Sequence, residues 1–228
     1  MELEGKKYVE SYVQTLTHEI KSPLSSILAS VELIESHPNE IHRLTKTIEA
    51  EAKRIQSLID QLLELSSLEG KNSIELEDKI EMVSFLEKVI HRFEIVLERK
   101  NLHVKKIFSN DTLQIKGNES YLRMAIENIL RNSIEFANSN DQITIQLELV
   151  NQSYTKLIIA DEGQSIPDFA LSKLTEKFFS LPRPSDKRKS SGLGLSIVKE
   201  ITDLHQAELT IRNLDPKGVE VSILFQNF

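Results

Sequence analysis

Two groups of residues that could carry out chemistry lie far apart in this 228-residue chain. The first pairs His18 with Glu19. The second lies in the C-terminal half and comprises Asn128, Asn132, Asp161 and the glycine-rich run 191–195. A neutral imidazole is a nucleophile near pH 7, whereas amide and carboxylate oxygens and a glycine-rich loop suit a magnesium-bound nucleotide. A phosphate acceptor in one segment and a phosphate-donor site in another predict a phosphoryl transfer between them.

His18 lies between Leu16 and Ile20, two apolar positions of a helical pattern. At about 100° per residue, this spacing puts the imidazole on the outer side of the helix. A surface histidine without chemistry is the plain alternative, because such residues are common. Glu19, which can accept or orient the Nδ1 proton, and Pro23, which bends a helix, favour the nucleophile.

Asn128 and Asn132 are four residues apart and share one face of a predicted helix. Magnesium accepts amide oxygens together with water and phosphate oxygens. Asparagine is a poor helix former, so two of them inside a helix need a reason. The alternative is a pair of ordinary surface asparagines.

Asp161 ends a buried strand, where its carboxylate can accept a hydrogen bond from the amino group of adenine. Taken alone, an aspartate before Gly163 is more typical of a turn. Gly192 and Gly194 open a helix after a basic stretch, and glycines let backbone N–H groups approach phosphate at a helix N-terminus. A single Gly-x-Gly is weak evidence, and the basic stretch is also typical of a solvated loop.

The charge balance and the cysteine count exclude several classes of function. There are 28 Lys and Arg against 35 Asp and Glu, a net charge of −7, so we expect no nucleic-acid partner. Cysteine is absent, which excludes disulfides and thiolate metal sites. No apolar run approaches the length of a membrane span, and the charged opening is not a signal peptide. The abrupt, charged opening is typical of a fragment whose upstream part is missing.

The N-terminal segment has the pattern of two long amphipathic helices, over 6–36 and about 40–68, joined by a short turn. The second helix fits a heptad repeat except at Glu51. A lone antiparallel hairpin cannot cover its own apolar stripe, so we expect a homodimer that forms a four-helix bundle.

After a linker, the pattern changes to mixed helix and strand. Helices are predicted over 81–100, 118–137 and 192–205, and strands over 142–150, 157–160, 208–212 and 219–225. This pattern indicates an α/β sandwich. The predicted organisation is therefore a helical hairpin over 1–68, a linker over 69–78 and an α/β domain over 79–228.

Five motifs in order carry a family resemblance. His18–Leu24 resembles the H-box, Glu127–Ser133 the N-box, Asp161–Pro167 the G1 box, Glu176–Phe179 the F-box and Gly192–Leu195 the G2 box. The chain is thus similar to the catalytic core of bacterial sensor histidine kinases over nearly its full length. Residues 178–184 and the junction 190–192 resemble the CreC type more narrowly. The resemblance implies a histidine-phosphotransfer hairpin followed by an ATP-binding domain of the Bergerat (GHKL) fold.

The resemblance also implies an enzyme, a protein-histidine kinase of a two-component system that uses ATP and Mg²⁺. It further implies a cytoplasmic location, as the cytoplasmic portion of an inner-membrane sensor that is attached only through the missing upstream segment. His18 would accept the γ-phosphoryl group and pass it to an aspartate on the receiver domain of a response regulator. Glu19 would accept the imidazole proton. Ser22 occupies the position from which many relatives orient water for dephosphorylation of the regulator, so a phosphatase activity is a further expectation.

The nucleotide-binding roles implied by the resemblance fall on the later motifs. Asn132 would ligate Mg²⁺ with help from Asn128. Phe136 would lie against adenine, and Asp161 would bind its amino group. Phe178 would anchor the base of an ATP lid over about 165–191. The remaining candidate nucleotide contacts are Gly163, Ile166, Arg188, Lys189, Gly192, Leu193, Gly194 and Leu195.

Three positions depart from the family pattern. Glu135 stands where the N-box usually carries lysine, and Ser165 and Ser190 replace glycines of the G1 and G2 boxes. An acid near phosphates predicts weaker ATP binding. Two alternatives to an active kinase follow: a nucleotide-binding pseudokinase scaffold and a GHKL-type ATPase. Such ATPases place a glutamate base where this chain has Asn128, and they lack the His18 hairpin.

Overall fold

The computed structural model describes residues 2–71, 73–109, 113–184 and 190–227, with side chains from residue 13 onward. The chain divides into two compact units between Glu64 and Leu65. The hairpin-plus-α/β fold class predicted from the sequence is confirmed. The domain boundaries given above stay a prediction, since the division between the units falls inside a helix.

The N-terminal unit is a helical hairpin. Helix α1 spans Glu2–Ser36, a short 3-10 helix spans Pro38–Glu40, and helix α2 spans Ile41–Glu69. The backbone N–H of His37 donates to the Leu33 carbonyl over 2.9 Å and closes the end of α1. Proline at the start of the 3-10 helix then prevents α1 from continuing.

Much of the apolar surface of the hairpin is exposed or only half-buried. Among the described residues 13–64, Leu44 and Leu58 are the buried aliphatic side chains. The large apolar side chains left exposed in this unit are Val13, Leu24, Leu28, Val31, Leu33, Ile41, Ile59 and Leu63. Glu51, the exception to the heptad, is buried.

The C-terminal unit contains the remaining elements. The helices are α3 Met82–His91, α4 Glu94–Arg99, α5 Glu119–Phe136, α6 Asp168–Leu171 and α7 Gly194–Leu204. The strands are β1 Asp78–Glu81, β2 His103–Phe108, β3 Gln114–Gly117, β4 Gln142–Val150, β5 Tyr154–Asp161, β6 Glu208–Asn213 and β7 Val219–Gln226. None of the described helices is both long and apolar enough to cross a membrane.

Five strands form one sheet in the order β2-β4-β5-β7-β6. Strand β2 runs parallel to β4, and the other neighbours are antiparallel. Strands β1 and β3 pair separately as an antiparallel ribbon. Alternate residues of β4, from Ile143 to Leu147, are fully buried, as expected for a strand with one covered face. Helix α5 packs against β5 and α7 against β6, which gives a helical layer on a sheet.

The single helix predicted over 81–100 is wrong. The structure breaks it between α3 and α4, where the N–H groups of Arg92 and Phe93 donate to the carbonyls of Val89 and Ile90 three residues back. Phe93 and Leu97 are both buried on the far side of the break. Because the apolar spacing continues through the turn, periodicity alone does not reveal it.

The start of α5, the helix that carries both N-box asparagines, is fixed by side chains. Asn118 caps the helix, since its Oδ1 accepts from the Tyr121 N–H over 3.1 Å. The Asn118 N–H in turn donates to Nε2 of His205 over 3.0 Å, and Nδ1 of His205 lies 2.7 Å from the Ile201 carbonyl. Burial lowers the pKa of His205, so the ring is neutral and links α5 to α7.

Candidate active site

The α/β unit contains a cavity of about 540 Å³ beside α5. Its wall is formed by the C-terminal half of α5, the end of β5, the segment that follows it, the start of α7 and strands β6 and β7. The lining residues are Ile129, Asn132, Ser133, Phe136, Asp161, Gln164, Ser165, Ile166, Pro167, Leu174, Phe179, Ser180, Leu181, Pro182, Arg183, Pro184, Ser190, Gly192, Gly194, Leu195, Ile211, Val219 and Val221. A largely apolar wall with a few polar groups is typical of a small-molecule site.

Seven of the predicted nucleotide-contact residues line this one cavity. They are Asn132, Phe136, Asp161, Ile166, Gly192, Gly194 and Leu195. Sequence positions from three separate motifs are thus brought together by α5, β5 and α7. Ser165 and Ser190, which replace family glycines, also line the cavity.

Four predicted residues lie beside the cavity without lining it: Asn128, Gly163, Phe178 and Leu193. Asn128 donates its amide N–H to the Met124 carbonyl over 2.9 Å, and its Oδ1 faces Gly194, where an added Cβ would lie only 3.0 Å away. Asn128 therefore supports the start of α7. The two remaining candidates, Arg188 and Lys189, lie outside the described residues.

Asp161 is a buried acceptor at the end of β5. Burial raises its pKa to about 6, although hydrogen bonds from the Gly163 N–H and the Ser133 hydroxyl favour the ionised form. The Gly163 N–H lies 3.0 Å from Oδ1. A side chain at Gly163 would collide with the Phe136 carbonyl, since its Cβ would lie 2.6 Å from that oxygen. At neutral pH the site thus presents a carboxylate that suits an amino group.

Asn213 fixes the loop that follows Asp161. Its Oδ1 accepts from the Ile166 N–H over 2.8 Å, and its Nδ2 donates to the Ile166 carbonyl over 2.7 Å. Both backbone groups of a cavity-lining residue are therefore held by one side chain from β6. The sequence analysis missed Asn213, because nothing local connects residues 166 and 213.

Phe178 and Gly192 join the two ends of the segment 179–191. The Phe178 N–H donates to the Gly192 carbonyl over 2.9 Å, and both residues have positive φ angles, 62° and 70°. An added Cβ at Gly192 would lie 2.4 Å from the carbonyl carbon of Phe178. Only glycine permits this close backbone approach, which gives Gly192 a structural role at the neck of the loop. Phe179, the next residue, lines the cavity.

Glu135 does not face open solvent. Its Oε1 lies 2.8 Å from Nη2 of Arg183, which lines the cavity. Burial raises the pKa of Glu135, while the charges of Arg183 and Arg131 act against that rise. The acid at this departure from the family pattern is therefore paired with a cation.

The cavity fits a magnesium ion that arrives with phosphates. Among the described residues, no three or more His, Cys, Asp or Glu side chains cluster as a metal site. Asn132 supplies a neutral amide oxygen at the wall. Mg²⁺ commonly keeps several waters and binds through few protein groups plus substrate phosphates. Asn132 would hold such an ion.

The hairpin presents His18 at its surface. His18 and Ser22 are exposed, and Glu19 is half-buried. The Glu19 carboxylate accepts from Nη2 of Arg54 on α2 over 3.3 Å, and Nη1 of Arg54 lies 3.9 Å from Oε2 of the buried Glu51. The acid beside His18 is thus anchored across the hairpin, and the heptad exception at Glu51 belongs to the same charge cluster.

Two domain families match the chain. Residues 9–71 match the His Kinase A (phospho-acceptor) domain, and residues 117–227 match the histidine kinase-, DNA gyrase B- and HSP90-like ATPase. The chain is similar to Sensor protein CreC of Escherichia coli (strain K12), with 36% identity over 98% of this chain and 46% of that protein. It is 26% identical to heme sensor protein HssS of Staphylococcus haemolyticus over 94% of this chain and 46% of that protein.

A solved structure has the same fold. The histidine kinase ThkA in complex with response regulator protein TrrA superposes with a TM-score of 0.81 and 19% identity, over 99% of this chain and 64% of that chain. At this identity the likeness concerns the fold alone. The chain spans a little under half of the length of the two sequence relatives, 46% in each case.

Proposed function

Because the chain belongs to the histidine kinases, with a phospho-acceptor domain followed by a kinase-type ATPase domain, we propose that it transfers the γ-phosphoryl group of ATP to His18 and then to an aspartate of a response regulator. The similarity to CreC confirms the narrower resemblance predicted from the sequence. The domain organisation proposed is a phosphotransfer hairpin over 1–68, a linker over 69–78 and an ATP-binding domain over 79–228.

One cavity carries the proposal. It combines Asn132, Asp161 and Gly194, which are an amide oxygen for a metal, a carboxylate for an amino group and a backbone suited to phosphate. These three groups match the three parts of Mg·ATP. Magnesium would neutralise charge on the phosphate oxygens during transfer.

Side chains of this chain supply the nucleophile, the base and the walls of the nucleotide site in the proposed reaction. His18 attacks the γ-phosphorus through Nε2; the N–P bond forms as the bond to the ADP oxygen breaks. The Nδ1 proton passes to Glu19. Arg54 holds the Glu19 carboxylate across the hairpin, so the base is oriented before the nucleotide arrives. Phe136 and Ile166 shield the base of the nucleotide from water.

We further propose a homodimer built on the hairpin. The exposed side chains Leu28 and Leu63 belong to an apolar stripe that a second copy would cover in a four-helix bundle. The proposed partner is the receiver domain of a response regulator, in the cytoplasm. Ser22 would orient water when the regulator is dephosphorylated, which makes a phosphatase activity part of the proposal.

Incubation of the full chain with ATP labelled at the γ-phosphate tests the function. We expect a label on His18 that is lost in acid and stable in base, and that moves to a receiver domain. Release of free phosphate without labelled protein would support a GHKL-type ATPase instead. Nucleotide binding with neither product would support a pseudokinase scaffold.

A further inference from the structure

The pair formed by Glu135 and Arg183 joins two distant parts of the chain beside the cavity. Glu135 lies on α5 one helical turn after Asn132, and Arg183 comes from the segment that follows Phe179. The two charged groups are 2.8 Å apart, and their side chains are only 22% and 27% exposed. In this sheltered place solvent screens the attraction between the two charges less than at an open surface, while burial also costs each charge part of its hydration.

Arg183 has an unused donor. Its Nε atom is buried and has no hydrogen-bond partner in the part of the chain that the structure describes. A buried guanidinium N–H without an acceptor costs free energy, because it has given up its hydrogen bond to water and formed no other in its place. With Nη2 directed to Glu135, the Nε N–H is left for an acceptor that the described residues do not supply.

The charges around the cavity indicate what that acceptor is. Among the described lining residues, Arg183 is the one cation and Asp161 the one anion. A nucleotide whose amino group meets Asp161 must direct its phosphates elsewhere. Phosphate oxygens are the strongest acceptors such a ligand brings, and guanidinium groups bind them well.

We propose that Arg183 is a phosphate-binding cation of this site and that Glu135 is its positioning residue. This inference rests on the proposed function for the identity of the nucleotide. The positive charge that the family pattern carries at the position of Glu135 is supplied here by the loop, and the acid holds the arginine in place. On this proposal Glu135 does not weaken ATP binding, because it forms an ion pair with the arginine that binds phosphate.

The two interpretations of Glu135 predict opposite changes in ATP affinity when Glu135 is replaced by glutamine. If Glu135 only repels phosphate, Glu135→Gln should tighten ATP binding, because it removes a negative charge. If Glu135 positions Arg183, the same substitution should weaken ATP binding several-fold, because the guanidinium is released to other orientations. Calorimetric titration of the full chain with Mg·ATP and with adenosine measures this sign.

Arg183→Gln should weaken Mg·ATP binding about tenfold, the size of one charge-assisted hydrogen bond. Adenosine affinity should stay within twofold. Arg131→Gln is the matched control, because Arg131 also adds charge near Glu135 but does not line the cavity. It should change both affinities less than twofold.

The double variant Arg183→Gln, Glu135→Lys should recover most of the lost ATP affinity, since it returns a cation to the helix. Unchanged ATP affinity in Arg183→Gln, or tighter binding in Glu135→Gln, would overturn the inference. So would equal losses for ATP and adenosine, which would mean that Arg183 only shapes the cavity. These affinities are independent of labelling at His18, so failure here is distinct from failure of the proposed kinase activity.

Discussion

The hairpin and the α/β unit differ in how much apolar surface each covers by itself. In the hairpin, Leu28 is 56% and Leu63 66% exposed. In the α/β unit, Leu122, Ile143 and Ile159 are fully buried. The α/β unit therefore buries its apolar core within a single copy, whereas the hairpin leaves large apolar side chains exposed.

The difference matches what each unit is proposed to do. A binding cavity needs walls that hold their shape without a partner, and the α/β unit provides them. A phospho-acceptor must be reached from outside, and two helices keep His18 exposed at the cost of an open apolar stripe. The comparison therefore predicts that substitutions in the two units have separable effects.

The largest expected effect is that of His18→Gln. Labelling with ATP should be abolished, because the nucleophile is gone. Mg·ATP affinity measured by calorimetry should equal that of the wild type, because the cavity belongs to the other unit. Labelling of this variant at the wild-type level would mean that another residue is the acceptor.

Asn132→Ala should lower Mg·ATP affinity by about a hundredfold, as expected for loss of a metal-binding group. Circular dichroism should show an unchanged fold. Asn128→Ala is the comparison variant. Its Mg·ATP affinity should fall less than that of Asn132→Ala, because Asn128 supports Gly194 and does not line the cavity. A larger loss in Asn128→Ala would reverse the assignment of the metal ligand.

Asp161→Asn should separate stability from binding. The pKa of Asp161 in the folded protein is about 6, above its ordinary value of 3.8, so its contribution to stability is present below pH 3.8 and is lost as the pH rises through 6. At pH 7 the buried carboxylate is ionised, and the neutral amide should raise the free energy of unfolding by up to about 3 kcal/mol.

Urea unfolding at pH 7 and at pH 4 measures whether Asp161→Asn raises or lowers the free energy of unfolding. The advantage of Asp161→Asn should shrink as the pH falls, while affinity for adenosine is lost at pH 7. A variant less stable than the wild type at pH 7 would show that the hydrogen bonds to the ionised carboxylate outweigh its burial.

Leu28→Lys should weaken dimerisation about tenfold, because it places an unpaired charge in the stripe that a second copy covers. Leu149→Lys is the matched control: Leu149 is an exposed leucine of the α/β unit, on β4. Analytical ultracentrifugation should show dissociation only for Leu28→Lys. Equal behaviour of the two variants would argue that the hairpin stripe is not the interface.

The sequence alone determined the features that depend on neighbouring residues. The hairpin helices end within one residue of their predicted C-terminal bounds, because apolar spacing and the turn at Pro38 are local signals. The motifs that carry the family resemblance also lie within the sequence, and seven of the candidate residues taken from them line one cavity, although their roles stay predictions.

Only the tertiary structure decided features that join distant residues. Strand β2 was missed because it is an edge strand with mostly exposed side chains, so it lacks the alternation that marks a half-buried strand. The effect of Glu135 depends on Arg183, and the loop carrying Ile166 depends on Asn213. A charge or an amide has no fixed role along a chain, because its energy is set by the partner that folding brings within hydrogen-bond distance.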